Sequence, residues 1–168
     1  VQGKRFRGSI FQDTDYVLYK NCYFDKWFQN KQGGVDAIGT QFEHCTFMSD
    51  GPVGPQAVDA IGYSALRCKV VGHSDGLRMN GGPNTQYAEE SIIRVKLADS
   101  ADHNDGIQVY QGNGEVVVRA VYIDMRPADQ YGNTISTGTI NVDACILMAD
   151  YVSGASFLGH VKDSLLHP

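Results

Sequence analysis

The sequence predicts an all-β fold, a right-handed parallel β-helix (solenoid) of about seven coils, from three observations. The string VDAIG occurs at Val35–Gly39 and again at Val58–Gly62, 23 residues apart. Cys22, Cys45 and Cys68 recur at the same interval of 23. Around each cysteine, small or apolar positions alternate with mostly polar ones, the period of a strand with one face inside.

Each element follows from that register. Continued past Cys68, the cysteine column takes in Val95, Ala120, Cys145 and Ser164, at steps of 27, 25, 25 and 19. Two positions beyond its members stand Phe24, Phe47, Val70, Leu97, Tyr122, Leu147 and Leu166. Three positions before stand Tyr19, Phe42, Ala65, Ile92, Val117, Val142 and Val161. These columns predict interior rows that repeat once per coil of roughly 24 residues. A unit that short leaves no room for a strand–helix pair with ordinary loops, and no segment sustains a helical period. What remains is two or three short strands per unit, each pairing in parallel with its counterpart one coil on. An antiparallel sandwich is the alternative, but it would not need like residues to fall in register. The insertions at 80–90 and 126–133 read as loops projecting from the rod. At ~4.8 Å per coil, seven coils make a rod about 34 Å long.

Composition narrows the rest. At 168 residues the chain suits one domain with one core, a β-helix over 1–168. Its 19 glycines and nine tyrosines lean towards strands joined by many turns. No window approaches 18 consecutive apolar residues, which argues against a membrane span. Val1–Arg7 lacks the apolar stretch of a signal peptide, and a start at Val1 is what a processed product or a piece of a longer chain would show. A net charge of −5 argues against a nucleic-acid partner, for which a basic surplus is expected. Four cysteines could form a disulfide framework. Stacked cysteines point the same way, however, and Cys145 would lie three coils from Cys68, so all four are read as buried small residues filling one row. Without a CxxC pair, no structural zinc site is indicated.

The residues that could carry chemistry fall into two patterns. His73-Ser74-Asp75-Gly76-Leu77 and His103-Asn104-Asp105-Gly106-Ile107 are related strings, placed by the register in one column with the VDAIG strings. Asp36, Asp59, Asp75 and Asp105 would then form an acidic ladder, extended by Asp13. His73 would neighbour His103, and Asp75 would neighbour Asp105, on adjacent coils. Two carboxylates that close repel, which raises one pKa and sets a general acid beside a general base. Their separation would decide between retaining and inverting glycoside hydrolysis. The plainer reading is turn chemistry, in which Asp bonds its own backbone or caps N–H groups between coils while Gly takes a positive φ. For the histidines the plainer reading is stacked-corner packing.

The second pattern is an outward row of Arg67, Arg94 and Arg119, flanked by Lys69 and Lys96. Five stacked cations repel one another unless carboxylates or an anionic ligand lie near, so a polyanionic glycan would fit. The plainer reading is a solvated face balanced by Glu43, Glu90 or Glu115. Arg78 and Tyr110 join the three arginines as candidate substrate-binding residues. Trp27, Phe28, Tyr87 and Tyr131 could stack on sugars at coil edges or simply cover apolar ones. No motif defines a cofactor or metal, and calcium at the clustered aspartates would lack a loop of defined spacing.

At these residues the chain resembles the pectin-lyase-like superfamily of right-handed parallel β-helices, over about Asp13 to Leu166. The HSDGL and HNDGI strings look like the His-x-Asp-Gly-Ile/Leu turns of phage tail components and secreted polysaccharide-active enzymes. They are also similar to the Asn-Thr-Asp-Gly-Ile segment of polygalacturonases, which implies Asp75 or Asp105 as the acid. The paired Asp-Asp, Gly-His-Gly and Arg-Ile-Lys segments that complete that family's site have no counterpart in this sequence.

Three functions follow from one fold. The expected one is a virion tail-associated or fibre-like β-helix, extracellular or virion-borne, contacting surface carbohydrate as a homotrimer or within a larger assembly. A short rod and ends without an evident helical cap point that way. The alternative is a polysaccharide lyase or glycoside hydrolase acting on an extended glycan, an acidic one included. It would use Asp75, Asp105, His73 and His103 as catalytic groups, or the arginine row as base in uronate elimination. A carbohydrate-binding segment without catalysis is the third.

Overall fold

The alternation around the cysteines becomes three parallel sheets that the chain visits in turn. The structure, a computed structural model, describes residues 1–32, 35–49, 56–80, 82, 84–94, 104–110, 114–126, 133, 142–149 and 157–167. Sheet 1 stacks seven strands: Arg5–Phe6, Tyr23–Phe24, Thr46–Met48, Lys69–Val71, Ile92–Arg94, Tyr122–Asp124 and Leu165–His167. Sheet 2 stacks six: Ile10–Phe11, Phe28–Gln29, Val58–Ala60, Leu77–Met79, Asn104–Tyr110 and Val142–Ala149. Sheet 3 also stacks six: Leu18–Lys20, Gln41–Glu43, Ser64–Leu66, Gln86–Glu89, Gly114–Arg119 and Phe157–Lys162. Every pairing in these sheets is parallel. The fold is a parallel β-solenoid of six coils and part of a seventh, and among the described residues it contains no helix.

Parallel in-register stacking puts like residues on top of one another, so the inside is built from ladders. Phe6, Phe24 and Phe47 stack face to face, with ring centroids 4.9 and 4.7 Å apart. Tyr19 and Phe42 form a second stack at 5.5 Å, set edge-on to the first. The rows continue in smaller residues, Val70, Ile93 and Ile123 in sheet 1 and Ala65, Ala88 and Val118 in sheet 3, all fully buried.

The cysteine row differs from the expected one beyond Cys68. It runs Cys22, Cys45, Cys68, Ser91, Val121 and Ser164, and each member follows a residue in the left-handed conformation: Asn21, His44, Arg67, Glu90, Ala120 and Asp163, with φ between 48° and 53°. That residue turns the chain from sheet 3 into sheet 1. The thiol or hydroxyl just after it donates to the carbonyl two residues back, at 3.4 Å for Cys22, 3.5 Å for Cys45 and Cys68, 2.7 Å for Ser91 and 2.9 Å for Ser164. Ser91 and Ser164 also accept the N–H of Cys68 and Val121 from the preceding coil. The row is buried as expected at its cysteines, and five of its six members are short side-chain donors, serine standing for cysteine at 91 and 164 and Val121 being the apolar exception. A register drawn through small apolar residues misses Ser91. Of the expected members, Ala120 is the turn residue itself, Cys145 lies in sheet 2, and Val95 falls outside the described residues. All four cysteines are free thiols.

The two VDAIG strings also part company. Gly39 and Gly62 coincide as left-handed corners (φ 72° and 61°), and Gly39 N–H donates to Gly62 O. Upstream of that corner, Lys31–Gln32 and Val35–Asp36 pair as an antiparallel hairpin, while Phe28–Gln29 takes the place in sheet 2 beside Val58–Asp59. Buried Asn30 closes the hairpin's base, donating to Ala37 O and Ile61 O and accepting from Ile61 N–H.

Candidate functional site

The two Asp-Gly strings come together as expected. Leu77 pairs with Ile107, so Asp75 stacks on Asp105 at the corner between sheets 1 and 2, with both side chains buried. Asp75 Oδ1 accepts the N–H of Asp105 (3.2 Å), and Asp105 Oδ2 accepts from Gln108 Nε2 (3.0 Å). Arg78 lies across the cluster. Its Nη2 is 3.8 Å from Asp75 Oδ2, its Nη1 is 3.7 Å from Asp59 Oδ2, and its Nε donates to Gln108 Oε1 at 2.7 Å. Asp59 accepts in addition from Gln29 (3.2 Å) and Asn80 (2.7 Å). One guanidinium ties three successive strands of sheet 2, and Gln29 extends the network to a fourth. Buried carboxylates are tolerated only when paired and hydrogen-bonded in this way.

The glycines after these aspartates serve a different purpose from the positive φ expected. Neither Gly76 nor Gly106 is left-handed. A Cβ on Gly76 would run into the carbonyl oxygen of Gly106, and one on Gly106 would lie 2.6 Å from Cys145 O. Only glycine lets three coils approach this closely.

The acidic ladder does not form. Asp36 sits on the hairpin and Asp13 is exposed. Asp59 pairs in register with Arg78 rather than with Asp75. The hairpin is the physical reason, because it pulls Asp36 out of the column while leaving the glycine corner aligned. His73 is buried beside Ser74 and Asp75. His103, Lys96 and Tyr131 lie outside the described residues, as does the side chain of Tyr110.

The cation row dissolves into separate ion pairs. Arg67 occupies the left-handed corner and meets Glu90 at 2.6 Å. Arg119 lies at the end of a sheet 3 strand and meets Glu89 at 3.0 Å. Arg94, in sheet 1, is 3.4 Å from Asp124. Lys69 stands between Thr46 and Ile92 in sheet 1. Three arginines that one register placed in a row thus belong to three different columns, and carboxylates of neighbouring coils neutralise them.

Two troughs lie at the outer face of sheet 3 among the described residues. There the register stacks Leu18, Gln41 and Ser64, and Tyr87 N–H donates to Ser64 Oγ one coil on. A trough of about 160 Å³ is lined by Gln41, Phe42, Glu43, Ser64, Leu66, Tyr87 and Glu89. A second, of about 190 Å³, adjoins it through Gln41 and Ser64 and continues past Thr40, Asn84 and Thr85 to Tyr16. Each is smaller than the ~300–1,000 Å³ of a drug-sized pocket, so they are surface troughs rather than cavities. Tyr16 and Tyr87 are 70% and 41% exposed, one at each end. The ring of Tyr16 lies where a Cβ on Gly39 would be, so that glycine makes room for it. The two carboxylates in the trough are held from outside it, Glu43 by Lys20 (2.7 Å) and Glu89 by Arg119 (3.0 Å). The hydrogen bond and charge of Lys20 lower the Glu43 pKa. Among the trough residues the sequence draws notice to Phe42 as an interior row member, to Glu43 as a counter-charge and to Tyr87 as an edge aromatic. The signal for the others is the interval of 23 that links positions 18, 41, 64 and 87.

Among the described residues, no group of three or more His, Cys, Asp or Glu side chains could hold a metal ion. No family model matches the chain, and no curated protein or solved structure matches it.

Proposed function

We propose that this chain is a glycan-contacting parallel β-helix of the tail- or fibre-associated kind, kin to the pectin-lyase-like superfamily, with the outer trough of sheet 3 as its carbohydrate contact. The trough carries the reading. It offers amide, hydroxyl and carboxylate groups between two exposed tyrosines, Tyr16 and Tyr87. Aromatic faces with hydrogen-bonding groups between them suit sugar rings, which are apolar on their faces and polar at their rims. Two measurements test the proposal: a screen of surface oligosaccharides for binding, and light scattering for the native mass. Binding by a trimer near three times 18.4 kDa is the expected result; a monomer that binds no glycan would contradict it.

The cluster of Asp59, Asp75, Asp105 and Arg78 favours a second reading, glycan depolymerisation. It requires that the chain cleave a defined glycan and that Asp75→Asn with Asp105→Asn abolish cleavage while the fold persists.

A further inference from the structure

We infer that the sheet 3 trough takes a neutral, hydroxyl-rich glycan, laid along the rod axis, rather than a uronate-bearing one. The inference rests on the carbohydrate reading above and narrows it. The charge pattern of the surface supports it. Outward positions along sheet 3 read Lys20, Glu43, Leu66, Glu89 and Arg119, so the floor is a half-buried leucine with a carboxylate on either side and cations only beyond them. No residue lining either trough is a lysine or arginine. Both flanking cations already face a carboxylate, Lys20 that of Glu43 and Arg119 that of Glu89.

A uronate carboxylate seated over Leu66 would lie between two like charges, and its repulsion would be strengthened by the low-dielectric wall beneath it. A sugar hydroxyl in the same place would donate to Glu43 or Glu89, a charge-assisted bond stronger than a neutral one. The hydrogen bond and charge of Lys20 hold the Glu43 carboxyl below its usual range, which favours the ionised acceptor there. Leu66 and the ring of Tyr87 supply apolar surface for the CH face of a pyranose. The groups repeat once per coil, about 4.8 Å, close to the length of one pyranose unit along an extended chain. The axial direction follows from that match, since Gln41, Ser64 and Tyr87 present one polar or aromatic group to each successive unit.

The test is calorimetric titration of the whole chain with matched pairs of oligosaccharides: galactose oligomers against galacturonate oligomers, and cello-oligosaccharides against glucuronate oligomers. Neutral members should bind at least about tenfold more tightly than their uronate partners. In Glu43→Gln/Glu89→Gln, where Lys20 and Arg119 are released, that preference should shrink or reverse. Uronate binding that equals or exceeds neutral binding, and that Tyr87→Ala abolishes, would overturn the inference while leaving the carbohydrate reading intact. If no member of the panel binds, the carbohydrate reading falls and the inference falls with it.

Discussion

The main-chain N–H of Asp105 donates to the carboxylate of Asp75 across one coil step, at 3.2 Å. That bond gives the repeated Asp-Gly turn a purpose that needs no substrate. It satisfies a buried backbone donor at the irregular start of the Asn104–Tyr110 strand, a group that would otherwise cost about 1–3 kcal/mol.

Asp75→Ala should therefore destabilise the fold by about 1–3 kcal/mol, while Asp75→Asn, which keeps an acceptor, should cost less. The midpoint of urea unfolding reads the difference. Equal midpoints for wild type and Asp75→Ala would mean that the bond does not hold the coils together.

Gly76 and Gly62 should respond differently to alanine. At Gly76 the new Cβ meets backbone of the next coil, so overpacking should cost about 3 kcal/mol or leave no folded protein. At Gly62 the Cβ has room, with its nearest atom at 3.5 Å, and only the left-handed φ of 61° opposes it, at about 1–2 kcal/mol. Thermal unfolding of the two variants side by side would show the order.

The donor row gives a third expectation. Ser91→Cys should be nearly neutral, because a thiol fills the same role at Cys22, Cys45 and Cys68. Ser91→Val removes the acceptor for the Cys68 N–H and should cost about 1–3 kcal/mol. If valine proves as stable as cysteine, the row is apolar filling after all.

Asp124 sets an acid limit on stability. Its carboxylate, 1% exposed, accepts from the Arg126 guanidinium at 2.7 and 2.9 Å and from the Arg126 N–H and the Tyr122 hydroxyl at 3.1 Å, and lies 3.4 Å from Arg94. The Arg126 hydrogen bonds, foremost, hold its pKa well below the ordinary ~3.9. A folded-state pKa below the unfolded one stabilises the fold above about pH 4, and that stability drains away as pH falls towards the folded value. Asp124→Asn should be less stable than wild type at pH 7, by about 2 kcal/mol, and should lose less on passing from pH 5 to pH 2.5. Parallel pH profiles for the two proteins would contradict this.

The fold was legible because parallel stacking makes the period visible. Aromatic ladders at Phe24 and Phe47 or Tyr19 and Phe42 repeat at the coil length. The register failed at two kinds of place. At Ser91 the requirement was for a hydrogen-bond donor, which a search for small apolar residues passes over. At 31–37 the hairpin keeps the glycine corner in step while displacing Asp36, so two identical pentapeptides occupy different structures. The stacking of Asp75 on Asp105 was readable, but the capping role of Asp75 depends on a backbone N–H that the sequence does not display. The trough was least legible, because its charge balance comes from Lys20 and Arg119, on strands either side of it.

The most direct test of the carbohydrate contact is to measure one bound oligosaccharide against three proteins by isothermal titration: wild type, Tyr87→Ala with Gln41→Ala, and Asp75→Asn with Asp105→Asn. The trough pair should weaken binding at least about tenfold (~1.4 kcal/mol), and the aspartate pair should leave it within a factor of about two. Unchanged binding in the trough variant together with loss in the aspartate variant would move the carbohydrate contact to the corner of sheets 1 and 2 and contradict the proposal.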